Sequence, residues 1–156
     1  WADDGHVRLT PGNVVDWRHV VAHITDLARV FNIRAIAYDR WGARDTAQQL
    51  MDAGIKVVEF GQGYGSMSPA SKRFEALIHE RNLVHDGNPL FRWCVDCTEI
   101  STDPAGNIKP IHSDRRRESS RNDLVIAAVM ATGICVQDVR AERSVYEDMT
   151  PLTISW

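Results

Sequence analysis

Three cysteines in 156 residues, Cys94, Cys97 and Cys135, are too few and too odd in number for a disulfide framework, and fit a reducing compartment. Cys94-x-x-Cys97 is half of a zinc site with no second cysteine pair to complete it, so reduced thiols on a packed segment are the expectation. Apolar runs of the roughly 20 residues needed to span a bilayer are missing, and no signal peptide is visible. There is no excess of positive charge. The formal net charge of −3 argues against indiscriminate coating of nucleic acid but leaves room for a local basic patch. Neither GxGxxG nor GxxxxGK[ST] occurs, because Gly61-Gln62-Gly63-Tyr64-Gly65-Ser66 has the wrong spacing and no Lys-Ser or Lys-Thr follows. That weighs against nucleotide hydrolysis and leaves a flexible loop that permits close backbone approach. Internal repeats and low-complexity stretches are absent. An initiating Met is also lacking, so the chain is expected to begin inside a longer protein.

What is present alternates between helix and strand, the pattern of a single α/β domain over 1–156. Residues 1–12 read as an extended arrival, with Val7–Thr10 a candidate strand before Pro11-Gly12. From Asp16, a suitable N-cap, the apolar residues Trp17, Val20, Val21, Ile24, Leu27, Ala28 and Phe31 recur at helical spacing. A strand over Ile33–Tyr38, a helix over Ala43–Ala53 closed by Gly54, and a strand over Ile55–Phe60 make a βαβ unit whose strands should be parallel neighbours. Another helix should begin near Ser68-Pro69 and fade by Leu83. Leu90–Cys97 reads equally as a helix or a buried strand. Thr98–Ser101 and Ile108–Ile111 flank the turn Asp103-Pro104-Ala105-Gly106-Asn107 as a small hairpin. A helix from about Asn122 to Gly133 is followed by a polar tail over 137–156.

Two carboxylates stand where this pattern concentrates chemistry. Asp39 ends a buried-looking strand, the position where ligands collect in open α/β sheets. Asp123 opens the apolar run Leu124–Ala131, a place where Asp also serves simply as a cap. Converging acids suit phosphodiester hydrolysis, because divalent cations take oxygen ligands while activating water and steadying a departing oxygen. The polar run 112–122 adds Arg115, Arg116, Arg117 and Arg121 as candidate phosphate contacts, and Lys56, Lys72, Arg73 and Lys109 extend the basic set. His19 and His23 have a zinc-like spacing on the first helix but no third ligand, and read as solvated helix residues.

Five blocks in order carry a resemblance. They are Ala37-Tyr38-Asp39-Arg40-Trp41-Gly42-Ala43, the segment Gly54–Gly63, His85-Asp86-Gly87-Asn88-Pro89-Leu90, the segment Asp103–Pro110, and Asn122–Ala131. Together they resemble the C-terminal nuclease domain of tailed-phage terminase large subunits, over most of residues 5–148. The resemblance implies an RNase H-like fold, a central mixed sheet flanked by helices, here truncated at its N-terminus. It implies cutting of concatemeric viral double-stranded DNA during packaging, with two Mg²⁺ or Mn²⁺ ions. Asp39 would match the family's second acid and Asp123 its last. Partners would be the N-terminal packaging ATPase domain, the small terminase subunit and the portal protein, in the host cytoplasm. DNA contacts would fall to His112, Lys109 and the arginines of 115–121.

The chain departs from that family at three points. The first acid belongs to a strand upstream of anything in this sequence, so a metal ligand is expected to be missing and the fragment to be weakly active or inert. Pro110-Ile111-His112 stands where relatives often carry a Lys after Lys-Pro, which passes a basic role to His112. Asn122 stands where relatives often place a further acid beside the last one. The alternatives are another RNase H-like nuclease of the resolvase or integrase type, or a catalytically silent module that docks DNA or the portal.

Overall fold

The structure is a computed structural model that describes residues 1–112 and 120–142, the last six of these by backbone alone. Its elements run α1 (Trp17–Val30), β1 (Ile36–Tyr38), α2 (Arg44–Asp52), β2 (Val57–Glu59), α3 (Tyr64–His79), α4 (Pro89–Asp96), β3 (Thr98–Thr102), β4 (Ile108–His112) and α5 (Asp123–Glu142). The cluster Arg115–Arg117 lies outside the described residues.

The βαβ unit forms as expected. β1 and β2 pair in parallel with Ile36 opposite Val57 and Tyr38 opposite Glu59, and α2 is the crossover. Both strands are shorter than their sequence pattern suggested, although the Ile36 and Phe60 amides extend the ladder onto Lys56 and Tyr38 carbonyls. β3 and β4 form the antiparallel hairpin. Its turn is held by Asp103, whose carboxylate accepts the Ala105 and Asn107 amides, while Gly106 takes φ +77°. The mixed character of the fold is carried by these two pairs, which are not hydrogen-bonded into one sheet among the described residues.

Three expectations are corrected and one open alternative is resolved. Val7–Thr10 forms no strand; the segment is irregular. Leu90–Cys97 resolves as helix, because Pro89 opens α4 and the Asn88 side chain caps the Leu90 and Phe91 amides. α3 begins at Tyr64 rather than at Ser68-Pro69, so Pro69 lies inside it. A proline there forfeits a backbone bond, and the buried Met67, Ser68, Ala70 and Ser71 on both sides of it supply the compensating packing.

α5 is the third correction. It runs through Gly133 to Glu142, into the segment read as polar tail. Gly133 is a packing residue, not a helix stop. A Cβ there would meet the Phe60 ring at 2.6 Å and the Ala70 Cβ at 3.1 Å, so the missing side chain is what lets α3 and the end of β2 approach α5. The core is built here, from Phe60, Met67, Ala70, Phe74, Cys94, Val125, Val129 and Met130. Burial pushes the Cys94 thiol up, and the Asp123 charge adds to the rise. The two histidines of α1 have separate partners, His19 beside Asp16 at 3.5 Å and His23 beside Arg8 at 3.0 Å. No helix among the described residues is long and apolar enough to cross a membrane.

Candidate metal and nucleic-acid site

Asp39 follows the last residue of β1, so its place is set by the parallel pairing to β2. Asp123 is the first residue of α5, whose opening turn is fixed by the Asn122 carbonyl accepting the Val125 and Ile126 amides. α5 packs against β1, the strand that leads into Asp39. Both line a single open cavity of about 720 Å³, with Tyr38, Gln62, His112 and Asn122 also on its wall and Ala37, Ile126 and Met130 as apolar floor. Residues far apart in sequence thus line one concavity.

The polar detail of this wall is unusual. One Asp39 oxygen accepts the Trp41 amide at 3.2 Å, and the other has no hydrogen-bond partner among the described residues. Asp123 is exposed. Asn122 is only 3% exposed, and among the described residues its Nδ2 and the buried His112 Nδ1 have no hydrogen-bond partner. Buried polar atoms are nearly always paired, so two orphans beside two carboxylates mark a region whose polarity is not explained by packing. Among the described residues no three His, Cys, Asp or Glu side chains converge as a ready metal cage.

The other basic candidates sit elsewhere. Lys109 projects over the Tyr64 ring, 4.9 Å from its centre, and does not line the cavity. Arg121 is exposed and donates to the Ser120 carbonyl. Gln62 was not singled out by sequence reasoning; it lines the cavity and its amide reaches the Met130 sulfur at 3.8 Å. The signal was its position in the glycine loop after β2. There, the close approach allowed by Gly61 is to the chain itself, since a Cβ would stand 3.2 Å from the Ser66 hydroxyl.

Comparison with known proteins converges on this architecture. The family model described as terminase large subunit, endonuclease domain, matches residues 1–138. The chain belongs to that family. This terminase chain is 31% identical over 151 residues to the terminase large subunit of Enterobacteria phage HK97, covering 95% of the chain and 29% of the relative. It is 27% identical over 135 residues to Protein YmfN of Escherichia coli (strain K12), covering 85% of the chain and 29% of that protein. The chain therefore spans under a third of the length of these relatives. The crystal structure of the HK97 large terminase superposes with a TM-score of 0.75 at 32% identity, over 86% of this chain and 28% of that one. The large terminase nuclease from thermophilic phage G20c shares the fold, with a TM-score of 0.61 at 15% identity over 77% of this chain and 63% of that one. A second structure of the G20c nuclease, with bound magnesium, gives 0.59 at 16% identity, over 77% of this chain and 62% of that one. The α/β RNase H-like class read from the sequence is the fold of this family's nuclease domains.

Proposed function

We propose that this terminase domain is a metal-dependent endonuclease that cuts concatemeric viral double-stranded DNA during packaging. The observation that carries the reading is the convergence of Asp39 and Asp123 on one cavity wall. The donor set fits a hard cation: two carboxylates, one with an oxygen free of hydrogen bonds, beside a solvent-open space. Asp39 and Asp123 would hold Mg²⁺ or Mn²⁺, and a pair of such ions supplies an activated water and charge stabilisation for both oxygens of the displacement. The G20c structure with bound magnesium supports the same choice of ion.

The chain's own groups do the positioning. Packing of α5 on β1 keeps the acids facing one space without substrate. The Trp41 amide donates to one Asp39 oxygen and leaves the other for a cation. His112 stands on the same wall as a candidate polar partner for the DNA backbone, and Lys109, Arg121 and Arg115–Arg117 are the candidate cationic contacts. Magnesium takes six oxygens, so two carboxylates leave ligand positions for water and for substrate phosphate. The packaging ATPase domain, the small terminase subunit and the portal are the partners of the whole protein in this reading, which acts in the host cytoplasm.

The test is cleavage of linear duplex DNA by the full-length polypeptide with Mg²⁺ or Mn²⁺. Asp39→Asn and Asp123→Asn should each reduce cutting to background with melting temperature unchanged. Normal cutting by either variant refutes the assignment.

A further inference from the structure

Trp41 is 79% exposed, although an indole is among the most costly side chains to leave in water. It is nevertheless held in place. Its backbone amide donates to the Asp39 carboxylate at 3.2 Å. The Arg40 guanidinium lies 5.4 Å from its ring centre, and Arg40 is in turn tethered 3.7 Å from Glu59 at the end of β2. Gly42, at φ +78°, turns the chain away immediately afterwards, and the exposed Arg44 opens α2 beside it. The result is an oriented aromatic face beside the Arg40 guanidinium, two residues from a carboxylate assigned above to the metals.

We propose that Trp41 is a DNA-contacting residue that packs its indole against a nucleobase or sugar next to the scissile phosphate. The inference rests on the nuclease reading of the cavity. DNA is favoured over a protein partner for two reasons: the side chain packed at the ring is the cationic Arg40 in a chain of net negative charge, and the Trp41 amide is hydrogen-bonded directly to Asp39. Aromatic rings stack on any base face, so the contact adds affinity and register without reading sequence. Because the Trp41 amide holds Asp39, a DNA strand seated on the indole is also placed relative to the acids. Trp41 is thus a positioning residue.

The test compares Trp41→Ala and Trp41→Phe in the full-length polypeptide. Affinity for a linear duplex oligonucleotide is measured with Ca²⁺ in place of Mg²⁺, and cleavage is measured with Mg²⁺ across DNA concentrations. Trp41→Ala should bind roughly tenfold more weakly and raise KM, with cutting recovered at saturating DNA. Trp41→Phe, which keeps an aromatic face, should restore most of the affinity. Unchanged affinity and KM in Trp41→Ala overturns the proposal, and so does a loss confined to association with a protein partner. Asp39→Asn run alongside separates the two readings. If it still cuts, the assignment of Asp39 to the metal site fails; if it binds DNA but cannot cut while Trp41→Ala binds normally, only the role of Trp41 fails.

Discussion

In α5, Val125, Val129 and Met130 are 5%, 2% and 6% exposed, whereas α1, with the cleaner apolar stripe of the two, buries no residue at all. Trp17, Val30 and Phe31 at its ends are more than half exposed. Periodicity thus specifies that a helix forms, and the neighbours decide how much of its stripe leaves water. The difference matters for the site, because Asp123 stands at the head of the anchored helix, while Asp39 depends on a three-residue strand.

The contrast can be sharpened by truncating each region. Met67 is 1% exposed and sits in the cluster beneath α5, so Met67→Ala should cost about 2–5 kcal/mol by denaturant unfolding. Leu27→Ala on α1, where Leu27 is only partly buried, should cost under about 1.5 kcal/mol. Equal losses would mean that α1 is packed as tightly as α5.

Gly133→Ala tests the close approach itself. The added methyl collides with the Phe60 ring, and overpacking of this kind should destabilise by about 1–3 kcal/mol, despite alanine's better helix propensity. A neutral or stabilising result would show that Phe60 moves freely.

The smallest effect belongs to the head of α1. Asp16 caps the Arg18 amide, and the Arg18 side chain lowers its carboxyl from 3.8 to about 2. A depressed carboxyl contributes fully above its ordinary value, and the contribution is lost as pH falls through about 2. Helical circular dichroism should therefore fall slightly over that acidic window, and Asp16→Ala should remove this component of the acid response.

The βαβ unit, the hairpin and the helix start at Asp16 were legible because local chemistry dictates each: a capping carboxylate, a glycine turn, alternation of short apolar runs. What escaped was tertiary. Nothing local says that Gly133 sits in a helix, since glycine ends helices more often than it packs inside them; the Phe60 ring supplies the reason. Pro69 misled in the same way, because the burial of Met67 and Ala70 outweighs one lost backbone bond. At the site, Asp39 and Asp123 could be named from strand-end and helix-start positions and from family likeness. Gln62, the orphaned Asn122 amide and the oriented Trp41 could not, because their roles arise from cavity walls and exposure that only the folded chain displays.

The central claim is that Asp39 and Asp123 hold a cation between them. Anomalous scattering from Mn²⁺ in crystals of the full-length polypeptide tests it most directly. The expected result is Mn²⁺ bonded to carboxylate oxygens of both residues, and lost from that position in Asp39→Asn. Manganese bound elsewhere with both carboxylates bare, in a protein that still cuts DNA, would contradict the account.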